Sequence, residues 1–286
     1  MTISKILCAL LLISSHAMAF VGAGLHWGFD FSTALDDTET AWGNSLGEST
    51  DLDFLADLGI SQDNLGDFAD LHPAYISIAN FERSPINFGG KVYVDPPLVP
   101  FAVELSMNFG TWLYDGSISY INPEEILAYG GDSPRDDLYE ELVLDDGSYF
   151  GIDETPYGKL HLDLTIKRDM RLPIISPQIG IGPSLHFETP VLSADLIEDA
   201  VGDIDDLQEL VQSNPSAARD DILDEITDGA KEPKMGMHFL LGLSVSPPVI
   251  PLGVYVDGKY HVVFNNDDYE TDTNGLLLNA GLQIGF

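Results

Sequence analysis

The most regular feature of the sequence is an alternation of apolar and polar residues in several separate stretches. In the first of them, the odd positions from Val21 to Phe31 are apolar, whereas the even positions from Gly22 to Ser32 hold only Gly, His, Asp and Ser. A period of two predicts a β-strand with one apolar face and one small or polar face. Eight segments show this pattern: 20–32, 88–95, 99–114, 159–167, 178–188, 235–245, 250–261 and 275–286.

The connections between these segments alternate in length. Three are short and contain proline, which fixes a turn and blocks further strand pairing; they are 95–100, 171–177 and 246–251. The other four are long and cover about 33–85, 115–157, 189–234 and 265–274. Short and long connections therefore lie at opposite ends of one predicted sheet, and both chain ends fall on the side of the short turns.

This arrangement resembles the outer-membrane β-barrel proteins of Gram-negative bacteria, which have short periplasmic turns, long outer loops and strands of about ten alternating residues. The resemblance covers residues 20–286 at the level of architecture, and no single family within the class matches by motif. It implies an all-β, antiparallel transmembrane barrel. We predict eight strands, with ten as the alternative if 73–82 and 117–121 add a further pair. A soluble β-sandwich is the competing fold, and the long strands with a face rich in Gly, Ser and His count against it.

The last segment, GLLLNAGLQIGF, fits the same resemblance. Its apolar face includes Leu282, Ile284 and the terminal Phe286. In outer-membrane barrels such an ending is the signal that the outer-membrane assembly machinery reads, so the resemblance implies this role for these three residues. The final strand is then expected to close the barrel against the first.

The first 19 residues have the features of an export signal. Lys5 precedes an apolar run that is too short to span a bilayer as a helix, and Ala17-Met18-Ala19 provides a small-x-small cleavage site. We therefore expect residues 1–19 to be cleaved, leaving 20–286 as a single barrel domain that is exported to the outer membrane of a Gram-negative-type cell. The only cysteine, Cys8, would leave with the signal, so no disulfides are expected.

The charge balance is strongly acidic. Lys5 is one of 12 basic residues, so its removal leaves 11 against 47 acidic ones. This balance argues against nucleic-acid partners, because a phosphate backbone requires a basic surface. The acid is densest in 36–70 and 194–228. We expect no resident cofactor, although clustered carboxylates in the long loops are suited to divalent cations in the lipopolysaccharide zone, with outer-membrane lipid as the other partner.

Two of the long connections also carry a helical pattern. Segments 51–71 and 192–226 place Leu, Ile and Val at three- and four-residue steps among Asp and Glu. Such spacing predicts short amphipathic helices. Their apolar sides are expected to cover the barrel mouth, pack on each other, or fold inward.

The polar faces of the predicted strands contain the candidate chemistry. Counted from the short turns, His26, His161, His186 and His238 lie at similar depth. The favoured interpretation is a plug of hydrogen-bonded charges, in which Lys91, Lys159, Lys167 and Lys259 oppose the acids. The alternatives are a metal or ligand site, and a hydrolase that uses a histidine with Ser106 or Ser184. The candidate lumen cluster comprises His26, Glu104, His161, Asp163, His186, Glu188, His238 and His261.

Strand number limits the function. Eight strands enclose a space that side chains just fill, whereas about 16 strands leave an aqueous channel. We expect an outer-membrane barrel that acts as a narrow channel or transporter for small or hydrophobic molecules. The alternative is a non-conducting structural or surface-interaction barrel with acidic loops. A barrel-embedded lipid-modifying enzyme ranks third, so enzymatic activity is not expected.

Overall fold

The computed structural model describes most of the predicted barrel. The described residues are 20–31, 36–48, 68, 70–83, 87–96, 99–122, 125, 138–144, 155–170, 172, 174–229, 233–247, 251–264 and 274–285. The predicted signal, Phe286, nearly all of the helix predicted at 51–71 and the acidic stretch 265–273 lie outside these residues.

Eleven strands and three helices are formed by the described residues. The strands are β1 Phe20–Asp30, β2 Thr38–Trp42, β3 Ala74–Arg83, β4 Asn87–Asp95, β5 Ala102–Ile121, β6 Tyr139–Val143, β7 Thr155–Asp169, β8 Ile175–Glu188, β9 Lys234–Val245, β10 Leu252–Val263 and β11 Gly275–Gly285. The helices are α1 Ala194–Val201, α2 Ile204–Ser213 and α3 Pro215–Gly229. The helices predicted within 192–226 are therefore confirmed.

Eight of the strands close into an antiparallel barrel. Around the barrel the order is β5, β4, β1, β11, β10, β9, β8 and β7, and β7 pairs with β5 to complete the circle. The first and last strands are neighbours, since His26 on β1 lies opposite Gly281 on β11. The predicted eight-stranded barrel is confirmed, including closure of β11 against β1.

The ten-strand alternative is wrong because the extra strands lengthen the wall at one end and add nothing to its circumference. The predicted segment 117–121 is the continuation of β5, which is 20 residues long. Beyond the barrel, β5 pairs with β3 on one edge and with β6 on the other, and β2 pairs with β3. This extension rises from the end of the barrel that carries the long connections, which we call the loop side.

Burial in the barrel is the reverse of burial in a water-soluble fold. On β5, Glu104 and Ser106 are at most 2% exposed, whereas the intervening Leu105 is 52% exposed. On β1, His26 is 3% exposed and its neighbour Leu25 is 70% exposed. The polar faces of the strands thus point inward and the apolar faces point outward around the barrel.

The sheet extension and the three helices form a second unit, which we call the cap: β2, β3, β6, residues 112–121 of β5, and α1–α3. Its interior is conventional, because Ile197 and Ile222 of the helices are fully buried together with Ile118 of β5. Trp42 Nε1 also donates to Glu198 Oε1 at 3.1 Å, which joins β2 to α1. None of the helices formed by the described residues has the length and apolar character needed to cross a membrane.

Candidate functional site

All eight residues of the candidate lumen cluster lie inside the barrel. The most exposed of them, Glu188, is 6% exposed, and Glu104, Asp163, His186 and His238 are fully buried. The period-two pattern accounts for this placement, since every one of these positions falls on the inward face of its strand. The structure therefore gathers residues from six different strands into one enclosed polar interior.

Glu104 is the centre of the interior charge pairs. Its carboxylate accepts a hydrogen bond from Lys167 Nζ at 2.8 Å, and Lys91 and Lys259 lie 3.5 and 3.9 Å away. The three lysines come from β4, β7 and β10, so their contacts cross the lumen from several directions. One carboxylate on β5 thereby links strands around most of the barrel.

Asp163 and Asp257 complete this charge network. Lys259 Nζ is 2.9 Å from Asp163, and Lys91 Nζ is 3.4 Å from Asp257. Asn279 Nδ2 donates to Asp257 at 3.1 Å. We use "charge network" for the three lysines and three carboxylates Lys91, Lys167, Lys259, Glu104, Asp163 and Asp257. Their formal charges cancel, as burial of ions requires, because an unpaired buried ion costs several kcal/mol.

Four histidines form a second group on the loop side of the charge network. The ring centroids of His161 and His186 are 4.6 Å apart, and those of His161 and His261 are 4.9 Å apart. His238 lies 5.7 Å from His261 and contacts Thr165 Oγ1 through Nε2 at 2.8 Å. We call His161, His186, His238 and His261 the histidine cluster.

One of the four histidines predicted at similar depth does not contact the others. Among the described contacts, His26 makes none with the histidine cluster and instead bonds Tyr255 OH at 2.7 Å and Asn108 Oδ1 at 2.5 Å. His261, which sequence counting left out of the common level, lies in the middle of the cluster. Contact depends on the position around the barrel as well as on depth, since His26 is on β1 and the cluster is on the consecutive strands β7 to β10.

Charged and aromatic side chains close the lumen above the histidine cluster. Lys159 Nζ is 3.4 Å from Glu188, and Lys234 is 3.8 Å from the same carboxylate. Trp112 and Tyr157 pack edge to face at 5.6 Å, with Lys159 Nζ within 6 Å of both rings. These two rings are about 1% exposed, so they separate the lumen from the solvent on this side.

Inward-facing glycines make room for the large polar side chains. A Cβ atom at Gly22 would collide with the ring of Tyr93, and one at Gly236 would lie 3.1 Å from both His186 Nε2 and Ser184 Oγ. The glycines on the polar faces thus have a packing role. The large side chains occupy the space opposite them.

Sequence reasoning missed several partners in this interior. Asp30, Asn108, Tyr255 and Asp257 all lie on inward faces, but they were not singled out as site residues. The available signal was their position on the polar face of an alternating strand. Their pairing across the lumen depends on how the barrel closes, and no local spacing encodes that.

The two serines considered as nucleophiles are part of the buried network. Ser184 Oγ lies 2.9 Å from His186 Nε2. Ser106 Oγ contacts Lys259 Nζ and donates to Asp163 at 3.4 Å. Both serines are 2% exposed, so a substrate would first have to displace the surrounding charges.

Comparison with known proteins gives no family assignment. Neither a protein-family model nor a curated protein matches this sequence.

Proposed function

We propose that this protein is a non-conducting outer-membrane β-barrel that holds an acidic helical cap at the cell surface as an interaction surface. The observation that supports this best is the reversed burial of the barrel, with paired charges inside and apolar side chains outside. A membrane accounts for both halves of that arrangement.

The barrel exterior supports the location in lipid. Large apolar residues are about half exposed or more on every barrel strand, for example Trp27 at 62%, Phe239 at 52% and Leu241 at 71%. In water such a belt would be a large aggregation-prone patch. A closed barrel satisfies its backbone hydrogen bonds internally, which suits hydrocarbon. Leu282 is 47% exposed on the outer face, in keeping with the predicted assembly signal and with lipid and lipopolysaccharide as partners.

The lumen supports the absence of conduction. Three lysines and three carboxylates bridge it, and Lys167, Lys259 and Glu104 are at most 1% exposed. An ion that crossed the barrel would have to break several of these pairs. The non-conducting alternative is thus better supported than the narrow channel or transporter.

The cap supports an interaction role. Residues 194–229 contain 12 acidic residues against the single basic Arg219. The exposed acids keep this unit soluble and repel anionic surfaces, while they attract cationic partners or divalent cations. Because the cap lies on the loop side, it would face away from the cell.

Planar-bilayer recording tests the proposal. We expect chain 20–286, folded into lipid and verified by heat-modifiable gel mobility, to show no discrete channel events. The double variant Glu104→Ala/Lys167→Ala removes the central pair and is expected to show small events. Discrete events from the unaltered protein would overturn the non-conducting proposal in favour of the narrow channel, and failure to fold into lipid would overturn the membrane assignment.

A further inference from the structure

Three histidines from three different strands meet in a triangle at the loop side of the lumen. His161 of β7, His186 of β8 and His261 of β10 have ring centroids separated by 4.6, 4.9 and 5.1 Å. Glu188 adjoins them, and one ligand atom each from His161, His186 and Glu188 lies within 4.8 Å of the others. Ligand atoms of one tetrahedral ion are about 3.4 Å apart when metal–nitrogen distances are about 2.1 Å, so small side-chain rotations bring these groups to coordinating distance.

Several nitrogens of these three rings lack hydrogen-bond partners among the described residues. For His161 this holds for both Nδ1 and Nε2, although the residue is 2% exposed, and its nearest carboxylate oxygen, on Asp30, is 4.0 Å away. Nδ1 of His186 and Nδ1 of His261 are also without partners. Buried polar atoms are normally hydrogen-bonded, because an unsatisfied one costs about 1–3 kcal/mol. Four such atoms in one place would be satisfied by a single ligand that they share.

The remaining nitrogens are held as they are in metal sites. His261 Nε2 contacts Asp163 Oδ1 at 3.1 Å, and His186 Nε2 contacts Ser184 Oγ at 2.9 Å. A metal-bound histidine typically uses its second nitrogen in this way, which fixes the ring orientation and leaves the first nitrogen free to coordinate. Gly236 provides the space in which His186 takes up this position.

Carboxylates that could hold a cation adjoin the triangle. Asp30, Asp163 and Glu188 all lie within 4.8 Å of one or more of these histidines, and Lys159 and Lys259 are the present partners of Glu188 and Asp163. Imidazole with carboxylate selects first-row transition metals, whereas Ca²⁺ and Mg²⁺ prefer all-oxygen sites. The ion would compete with Lys159 for the carboxylate of Glu188. Lys234, the other partner of Glu188, has a side chain that is 20% exposed and can turn toward solvent.

We propose that the loop side of the lumen binds one divalent first-row transition-metal ion of the zinc type through His161, His186, His261 and Glu188. His238 is left out because, among the described ring contacts, it adjoins only His261, at 5.7 Å, and neither His161 nor His186. The ion would join β7, β8 and β10 across the lumen. This inference goes beyond the proposed function and depends on the barrel fold alone.

The first test measures bound metal. The untagged chain 20–286 is folded in detergent with excess Zn²⁺, freed of unbound metal by gel filtration and analysed for zinc. We expect one zinc per chain, and we expect Co²⁺ in its place to give visible d–d absorption with a histidine ligand field. Zinc well below one per chain in correctly folded protein would overturn the proposal.

Variants then locate the ion. His161→Ala and Glu188→Gln are expected to weaken zinc binding by roughly 100-fold or more, and Ser184→Ala, which changes only a ring partner, by about 10-fold. His26→Ala is the matched control, because His26 is an equally buried lumen histidine outside the triangle. If His161→Ala fails to fold, Glu188→Gln, which preserves side-chain volume, decides the question. Wild-type zinc affinity in the folded ligand variants, or an equal loss in His26→Ala, would contradict the site.

Discussion

The barrel and the cap are built from the same chain but bury opposite kinds of side chain. In the barrel, charged and histidine side chains are inside and Leu, Val, Phe and Trp are outside. In the cap, Ile and Leu are inside and the exposed helix faces carry Asp and Glu. Strand β5 belongs to both units. Its inward face changes from Glu104 and Asn108 in the barrel to Trp112 and Ile118 in the cap, with all four buried.

In the proposed membrane location, this difference reflects what surrounds each unit. The backbone is paired in both, so the sheet itself does not distinguish them. The apolar side chains change direction along β5. Apolar side chains point outward where the surroundings are hydrocarbon and inward where the surroundings are water. We therefore infer that the boundary between the membrane and the aqueous phase crosses β5 between its barrel half and its cap half.

The largest effect is expected from breaking the charge network. Glu104→Ala leaves Lys167, Lys91 and Lys259 without their shared carboxylate and should lower the free energy of unfolding by about 3–5 kcal/mol. The adjacent outward-facing Leu105→Val should change it by less than about 1 kcal/mol. Urea unfolding in detergent or lipid, followed by heat-modifiable mobility, measures both. A larger loss of stability from Leu105→Val than from Glu104→Ala would mean that the apolar face of β5 packs in a core.

A cavity in the cap should destabilise the cap alone. Ile222 is fully buried among the helices, so Ile222→Ala should cost about 2–5 kcal/mol locally. Hydrogen exchange should then speed up in α1–α3 while the barrel strands keep their protection. The exposed neighbour Asp221→Ala is the control and should leave exchange unchanged. Equal acceleration in β7–β10 would show that the two units unfold together.

A lysine substitution on the outer surface of the barrel and another on the outer surface of the cap test whether the two units have different surroundings. Leu105 and Val143 are 52% and 39% exposed, but Leu105 is on the barrel and Val143 is on β6 of the cap. Leu105→Lys should make folding into vesicles less favourable by about 2–4 kcal/mol. Val143→Lys should change it by less than about 0.5 kcal/mol, as is usual for a water-exposed site. Similar costs at the two positions would remove the distinction between barrel and cap.

The smallest effect is expected at the start of α1. Ser193 is the N-cap residue and its Oγ accepts from Leu196 N at 3.3 Å. Ser193→Ala should destabilise this helix by about 1 kcal/mol. Faster exchange of the α1 amides, with Ser193→Asp as a capping-competent control, is the expected result. Unchanged exchange in α1 would mean that packing alone sets its stability.

The sequence was sufficient to predict the barrel because period-two alternation encodes it directly. It was insufficient for β2 and β6, whereas β3 corresponds to the candidate segment 73–82. The strand β6, Tyr139–Val143, is only five residues long, and β2, Thr38–Trp42, has four exposed residues out of five. Neither is long enough to show a clear period. Strand β6 forms because β5 extends beyond the barrel and offers an edge to pair with, and β2 pairs with the free edge of β3.

The lumen was predictable as a set of residues but not as a set of contacts. Alternation placed His261 and Asp257 on inward faces. Which groups meet across the barrel depends on strand stagger and closure, so the pairing of Lys91 with Asp257, 166 residues later in the chain, has no local signal. The order of strands around the barrel likewise places His26, on β1, apart from the four histidines on β7 to β10.

Quenching of single-cysteine labels tests the central claim most directly. The predicted mature chain has no cysteine, so one fluorophore can be placed at Leu105, Leu241 or Val143 of the protein folded in vesicles. The account predicts strong quenching at Leu105 and Leu241 by nitroxides on the lipid acyl chains, and quenching at Val143 only by a water-soluble agent. Quenching of all three labels by the water-soluble agent alone would contradict a barrel that faces lipid.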